Sequence, residues 1–419
     1  MNHSILPTIK DLAAKRFDFG IKFEYARQHI HFGRATEPIK GLYLSHLLTW
    51  NSFNEPPYKD SPKSFISSFE NLINGARSPS FSGFVDPLPV SLQGHLVNGV
   101  HRLSVAAAVN RPDIVRFEKI DSPYRYDYEF FNHYQNIHTR SRFSQSLLRS
   151  LEELYFNAAS QDYYFITPKA IAEDSGRRAL DLINKSHHIL RIVRIRVPKS
   201  LVPLCVAHMY WSQEWMRKGL SAYKGSNLEY KVNNLMALEN PQDFVLVLVS
   251  KSSLEQKAKI KESIRSSYRS GQDAVHSGDT STDTKVLGLF VSTLSNVSKS
   301  IATLDYFNPA LASINEIANR DPTPNPDRAI TGSFLLGLNN LRKINDIDTL
   351  AYGSIEGSHN TYSYLYGQSI ESILYRRKNY FYLFGVKVLI PAIIVEFKAT
   401  RNEPKDLLDL ELLKSRLLA

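Results

Sequence analysis

Cysteine is all but absent: Cys205 stands alone in 419 residues. One thiol can neither close an internal disulfide nor build a cysteine-based zinc site, which suits a reducing compartment such as the cytoplasm. Long apolar runs are missing as well. No segment offers the roughly 20 apolar residues that span a bilayer; residues 381–397 come nearest, and Lys387 and Pro391 interrupt them. The opening stretch MNHSILPTIKDLAAKRF lacks the apolar centre of a signal peptide. Tryptophan is scarce, and Trp50, Trp211 and Trp215 read as core, since aromatic residues at helical spacing usually pack. There is no internal repeat.

What is present belongs to a globular protein. Hydrophobic residues at 43% and charged residues at 22% exclude global disorder. The length exceeds what one hydrophobic core usually serves, so two or three domains are expected. Lys and Arg number 51 against 41 Asp and Glu, a formal charge of +10 that favours anionic partners such as nucleotides or sugar phosphates. The basic residues are spread along the chain rather than gathered in a tail, which predicts a solvated basic surface and not specific nucleic-acid binding.

The patterning predicts an α/β (α+β) multidomain chain. Residues 1–123 mix helical patterns with short strands and contain VSLQGHLVNGVHRLSVAAAVNRPDI, which reads as a strand, a tight turn and a small-residue helix. Residues 124–187 read as a connecting helical layer, because RFSQSLLRSLEELYFNAA repeats apolar residues every three or four positions. Residues 188–419 form the third region. In it HILRIVRIRVP alternates like a half-exposed strand, residues 244–249 form an apolar strand, and residues 253–268 form a charged helix. DPTPNPDR, residues 321–328, is the most linker-like stretch. His187 and His188 have no metal-ligand partner at suitable spacing and read as ordinary residues leading into a strand.

The chemistry concentrates at residues 329–350, AITGSFLLGLNNLRKINDIDTL. The run parses as a short strand, a Gly-Ser turn, an amphipathic helix and a second strand carrying Asp346 and Asp348. Residues two apart in a strand share a face, and two adjacent carboxylates repel unless a cation joins them, so the pair makes a clamp for Mg²⁺ or Mn²⁺. Gly332 lets the backbone approach a ligand, and Ser333 stands where a helix opens, so amides and a hydroxyl would face a phosphate. Upstream, Lys261, Arg265, Arg269, His276, Asp279 and Asp283 fall within one helix and its following loop, where Arg265, His276 and Asp279 would line an acceptor or phosphate pocket with His276 as proton carrier.

The C-terminal arrangement resembles the nucleotidyltransferase superfamily, the DNA polymerase β-like fold. That motif is a hydrophobic residue, Gly, Gly or Ser, about a dozen residues, then two acids separated by one apolar residue. The resemblance implies a mixed sheet with flanking helices and transfer of a nucleotidyl or phosphoryl group from a nucleoside triphosphate. It also implies a metal held by Asp346 and Asp348 and phosphates held by Gly332 and Ser333, with Arg342 on the intervening segment. The later segment VKVLIPAIIVEFKATRNEPKDLLDLELLK is similar to the superfamily's lysine-rich stretch and KD-and-D helix, which puts Lys398 and Asp406 in the catalytic set. It makes Lys387, Lys405 and Arg401 phosphate contacts, with Asp409 on the same helix. The third acid common in that superfamily has only Glu396 as a counterpart on the apolar strands. The acceptor is open; a sugar or glycan is one class, and surface-glycan biosynthesis is an association only.

Near the N-terminus, Asn98-Gly99-Val100-His101-Arg102 resembles the GxHR signature of the ParB/sulfiredoxin-like fold over residues 35–120. It implies a nucleotide or phosphate site at Gly99, with His101 and Arg102 adding charge-assisted bonds. Val100 stands where sulfiredoxin has cysteine, which disfavours sulfinic-acid reduction, and no helix-turn-helix follows residue 125. Two alternatives to C-terminal catalysis therefore remain. One is a regulatory protein that binds nucleotide or nucleic acid without turnover; the other is kinase chemistry in the N-terminal region.

Overall fold

The computed structural model describes residues 8–55, 59–159, 161–221, 225–236, 242–301, 308–321, 323–344, 346–353 and 358–417. The opening residues 1–7 and Pro322 of the linker-like stretch lie outside the described residues. The chain is a mixed α+β protein whose contacts divide it into two units, Met1–Gln161 and Asp162–Ala419. The division falls inside the stretch read as a connecting layer. No helix among the described residues is long and apolar enough to cross a membrane.

The first unit is mostly helical. Its longer helices are Phe19–Phe32, Glu37–Asn51, Pro62–Arg77, Val100–Ala108 and Gln145–Ala158. Their starts are written in the sequence: the Ser61 hydroxyl accepts from the Ser64 amide with Pro62 just inside, and Ser144 accepts from the Leu147 amide. Leu148, Leu151 and Tyr155 then bury one face of the last helix. The unit's only sheet among the described residues is a parallel pair, β1 (Leu88–Ser91) beside β2 (Phe117–Ile120). Trp50, half-buried rather than in the core, packs among the rings of Tyr126, Phe130, Phe131 and Tyr134 at centroid distances of 4.9–5.5 Å. Charge is buried too: Arg16 Nε donates to Asp18 at 2.6 Å, Lys22 also bonds Asp18, and His46 lies 3.8 Å from it.

The second unit holds two four-stranded sheets. The first is antiparallel, in the order β4 (Ile189–Val197), β5 (Gln242–Val249), β3 (Asp162–Ile166), β6 (Val275–His276). The continuous run FVLVLV in β5 and the fully buried β3 occupy the middle, because such strands have no polar face to turn to water. In β4, Arg194 and Arg196 face out while Ile195 and Val197 are buried, as the alternation predicts. The second sheet runs β8 (Thr349–Ala351), β7 (Arg328–Ile330), β10 (Val386–Leu389), β9 (Tyr380–Leu383), with β7 and β10 parallel and the outer pairs antiparallel.

His208 ties this second sheet to the helix Val202–Met209. Its Nδ1 donates to the Leu204 carbonyl at 2.7 Å and its Nε2 accepts the Phe384 amide at 2.9 Å, while its ring stacks between Phe290 and Phe384. Accepting at Nε2 requires the neutral imidazole. Burial lowers both His208 and His46 from 6.5 to about 3. Each must therefore gain a proton on unfolding in mild acid, so their stabilisation is full above about pH 6.5 and declines as pH falls toward 3. Denaturant midpoints measured from about pH 7.5 down to about pH 4.5 should fall steadily below about pH 6.5, and a flat profile over that range contradicts neutral burial.

Candidate functional site

Strand β7 leads into Thr331, Gly332 and Ser333, and the run at Asp346–Asp348 leads into β8. The two arms meet because the Thr331 amide donates to the Asp348 carbonyl at 2.9 Å, extending the β7–β8 pairing by one step. Gly332 adopts a φ of 71°, and a Cβ there would overlap Asp348 Oδ2 and stand 3.2 Å from Asp348 Cγ. Only a glycine lets the turn lie this close to the carboxylate. Asp346 is exposed and Asp348 half-buried, and neither carboxylate forms a hydrogen bond or ion pair with a described residue. Ile347 and Thr349 line a cavity of about 440 Å³ with Arg328 and Lys387.

Three expectations about this segment are corrected. Asp346 and Asp348 precede β8 rather than lying in it, because regular pairing with β7 begins at Thr349. The helix after the turn is Phe334–Leu338, five residues all buried, and not amphipathic. Asn339 ends it by donating to the carbonyls of Ser300 (3.0 Å) and Leu335 (2.9 Å). Ser333 is buried and its hydroxyl caps nothing, so it does not open the helix as a capping residue.

His359 and Tyr366 join the site without any advance signal in the sequence. Asn360 clamps the edge of β8, its Nδ2 donating to the Ala351 carbonyl at 2.8 Å and its Oδ1 accepting the Ala351 amide at 3.1 Å. That clamp sets His359 within electrostatic reach of Asp348 and Asp346. Burial lowers the imidazole's pKa; Asp348 and Asp346 oppose this, while Arg401 and Lys398 reinforce it. His359 Nδ1 is buried with no hydrogen-bond partner among the described residues. Tyr366 shares a hydrogen bond of 2.9 Å with Thr331 and stacks on Phe397, and burial raises its hydroxyl to about 12.

The basic segment expected to grip phosphate instead holds itself together. Lys398 Nζ lies 3.1 Å from Asp406 and 2.7 Å from Asp409, all three buried. Arg401 takes both oxygens of Asp406 at 2.6–2.7 Å, and Arg342 Nη1 contacts both oxygens of Asp409 at 2.7–2.8 Å. Burial would raise Asp406, but hydrogen bonds from Arg401 and Lys398 outweigh it and hold the carboxyl at about 2. Lys398, Asp406 and Arg342 thus already have partners within the chain and are not presented as free groups. Lys387 is buried on β10, donating to the carbonyls of Pro326 (2.6 Å) and Leu374 (2.5 Å) with the Tyr380 ring 4.1 Å away. Lys405 is exposed and pairs with Glu403 at 3.2 Å. Glu396 lies on the helix Pro391–Arg401 against Gly367 rather than on a strand, so it is no strand-borne third acid.

In the first unit, the GxHR turn opens onto a cavity of about 450 Å³ lined by Tyr43, Lys59, Phe69, Asn98, His101 and Arg102 among others. Gly99 adopts a φ of 82°, and a Cβ there would overlap Leu88. His101 Nε2 meets the Tyr43 hydroxyl at 2.9 Å, and burial followed by the charges of Lys22 and Lys59 pushes its pKa well below the usual value. It is neutral and adds no charge, contrary to expectation. Arg102, anchored at 2.6 Å to the Asp86 carbonyl, is the charged member of the turn.

Of the third group, Arg265 and His276 come together while Asp279 stays exposed at the loop. His276 cannot serve as a proton carrier near neutrality, because burial and then Lys261, Lys231 and Arg265 lower it to about 3.

Two substitutions test this description. Lys398→Met leaves Asp406 and Asp409 buried without their shared cation and should cost about 3–5 kcal/mol in denaturant unfolding; a loss under about 1 kcal/mol contradicts the network. Gly332→Ala should cost about 1–2 kcal/mol through its left-handed backbone and the displaced Asp348, with Ser333→Ala as a milder control. Equal unfolding midpoints for Gly332→Ala and the parent would refute the close approach. No family model, no curated protein and no solved structure matches this chain, so the site is defined by its own geometry.

Proposed function

We propose that the second unit transfers a nucleotidyl or phosphoryl group from a nucleoside triphosphate, with Asp346 and Asp348 holding Mg²⁺ or Mn²⁺. One observation carries the reading: the uncommitted carboxylate of Asp348 stands against a glycine turn that only a missing side chain allows to lie so close, with Asp346, equally uncommitted, two residues before it. No cluster of three or more His, Cys, Asp or Glu suited to a metal occurs among the described residues. Magnesium nonetheless fits a pair of carboxylates, since it is commonly held by one or two of them with substrate phosphates and water completing the shell. When bound, such an ion neutralises charge on the phosphate oxygens.

The chain's own groups do the rest. The Gly332 and Ser333 amides donate to no acceptor among the described residues and are free to meet phosphate oxygens. Arg401 adds positive potential near Asp348, although its hydrogen bonds are committed to Asp406. His359, with Nδ1 uncommitted, is placed to orient an acceptor hydroxyl where the superfamily would supply a third acid. The acceptor class, a sugar or glycan among the candidates, belongs to the same proposal.

A second reading is favoured by the 450 Å³ cavity of the first unit, which is large enough for a nucleotide and offers Arg102 and Lys59 beside aromatic rings. On that reading the first unit binds nucleotide for regulation, or performs the transfer itself. Purified full-length protein should consume triphosphate only with Mg²⁺ or Mn²⁺ present. Asp348→Asn should lower turnover about 100-fold or more with the fold retained, while Arg102→Ala leaves it within about threefold. Loss of turnover in Arg102→Ala alone would move the chemistry to the first unit, and triphosphate bound but never cleaved would leave only the binding role.

A further inference from the structure

The helix Leu254–Ser267 carries Lys257, Lys261 and Arg265 four residues apart, so the three cations share one face. Lys257 is used structurally, bonding Asp162 at 3.1 Å and the Gly278 carbonyl at 3.0 Å. The other two are not satisfied in this way. The nearest carboxylate to Arg265 is the exposed Glu262 at 4.0 Å, and Arg265 Nε is buried with no hydrogen-bond partner among the described residues. Buried donors without acceptors are rare in folded proteins because each loses its hydration for nothing.

Lys231 approaches the same place from the helix Asn227–Leu235. It pairs with Asp273 at 2.5 Å and sits 5.6 Å from the Tyr210 ring centre. The Tyr210 ring packs 4.1 Å from His276 on β6, with Trp215 behind it at 5.1 Å. The fields of Lys261, Lys231 and Arg265 all fall on His276. Three cations thus act on one half-buried spot, where Asp273 is the carboxylate in direct contact, Glu262 stands 4.0 Å from Arg265 and the exposed Asp279 reaches Lys261 only through its field. A buried guanidinium N–H without an acceptor, flanked by two ammonium groups, calls for an anion with several acceptor oxygens.

We propose that Arg265, Lys261 and Lys231, walled by His276 and Tyr210, form a binding site for a phosphate dianion, free or as a monoester. The guanidinium fork of Arg265 would supply directed hydrogen bonds, and the two ammonium groups would neutralise the charge. The neutral imidazole of His276 and the Tyr210 hydroxyl would supply uncharged polar contacts. The site uses neither Asp346 nor Asp348 and stands whether or not the triphosphate reading holds.

The test is calorimetric titration of the full chain in chelator-containing buffer, once with inorganic phosphate and once with glycerol 3-phosphate, against chloride at matched ionic strength. The expected result is saturable binding of at least one of the two, weakened about tenfold or more by Arg265→Gln and again by Lys261→Gln, and unchanged by Asp348→Asn. Binding of the ester alone identifies a phosphorylated metabolite as the occupant, and equal binding of both identifies the phosphate group itself. Circular dichroism checks the folding of each variant, and Lys261→Gln carries the test if Arg265→Gln does not fold. Heats no larger than those of chloride, retained affinity in folded Arg265→Gln and Lys261→Gln, or loss of binding in Asp348→Asn would each overturn the proposal.

Discussion

The hydrogen bond from the Thr331 amide to the Asp348 carbonyl is the constraint on which the C-terminal site turns. It continues the antiparallel pairing of β7 with β8 past the last regular residue, just where β7 gives way to the Gly-Ser turn. The register of three paired residues, Arg328 with Ala351 through Ile330 with Thr349, leaves the Asp348 carboxylate against the Gly332 backbone. A one-residue slip would reverse the faces and bring Ile347 to the turn instead. Neighbouring elements reinforce that register: β10 lies parallel to β7 on its other side, and Asn360 occupies the free edge of β8 with a two-way bond to Ala351.

Much of this could be read before any coordinates. The apolar run of β5, the alternation of β4 and the capped starts at Ser61, Ser144 and Ser253 are local signals, and local physics decided them. The nearness of Gly332 to Asp348 followed from the order of strand, turn and acids. Partnership was not legible. A sequence shows that Lys398, Arg401 and Arg342 are cationic but not that Asp406 and Asp409 already hold them, since those bonds depend on two helices crossing. The same blindness hid His359, which has no motif and reaches the carboxylates through the clamp of its neighbour Asn360. Glu396 misled for a different reason: apolar residues around it suit a buried strand or a buried helix equally, and Pro391 at the helix start settles it as helix. His101 was placed correctly in its turn, while its loss of charge came from burial against Tyr43 and Phe69.

Both units handle buried charge in the same way. In the first, Asp18 is wrapped by Arg16 and Lys22; in the second, Lys398 is shared by Asp406 and Asp409. Ion groups of this kind seldom add net stability over an apolar core, but removing one member strands the others in a poor solvent. They therefore act as strict specifications of geometry. The first fixes how the chain turns into the helix Phe19–Phe32, the second how the last two helices meet, and each tolerates substitution badly out of proportion to the energy it contributes.

The final helix, Pro404–Leu417, acquires a role from this that its position at the chain's end does not suggest. Asp406 and Asp409 hold Lys398, Arg401 and Arg342, and of these Arg401 also lies within electrostatic reach of Asp348. Asp346 and Asp348 carry no hydrogen bond or ion pair with a described residue, so on the proposed reading their charge is left to an incoming ion. On that reading the helix is an internal counter-charge, holding basic side chains that would otherwise compete for the ligand's place.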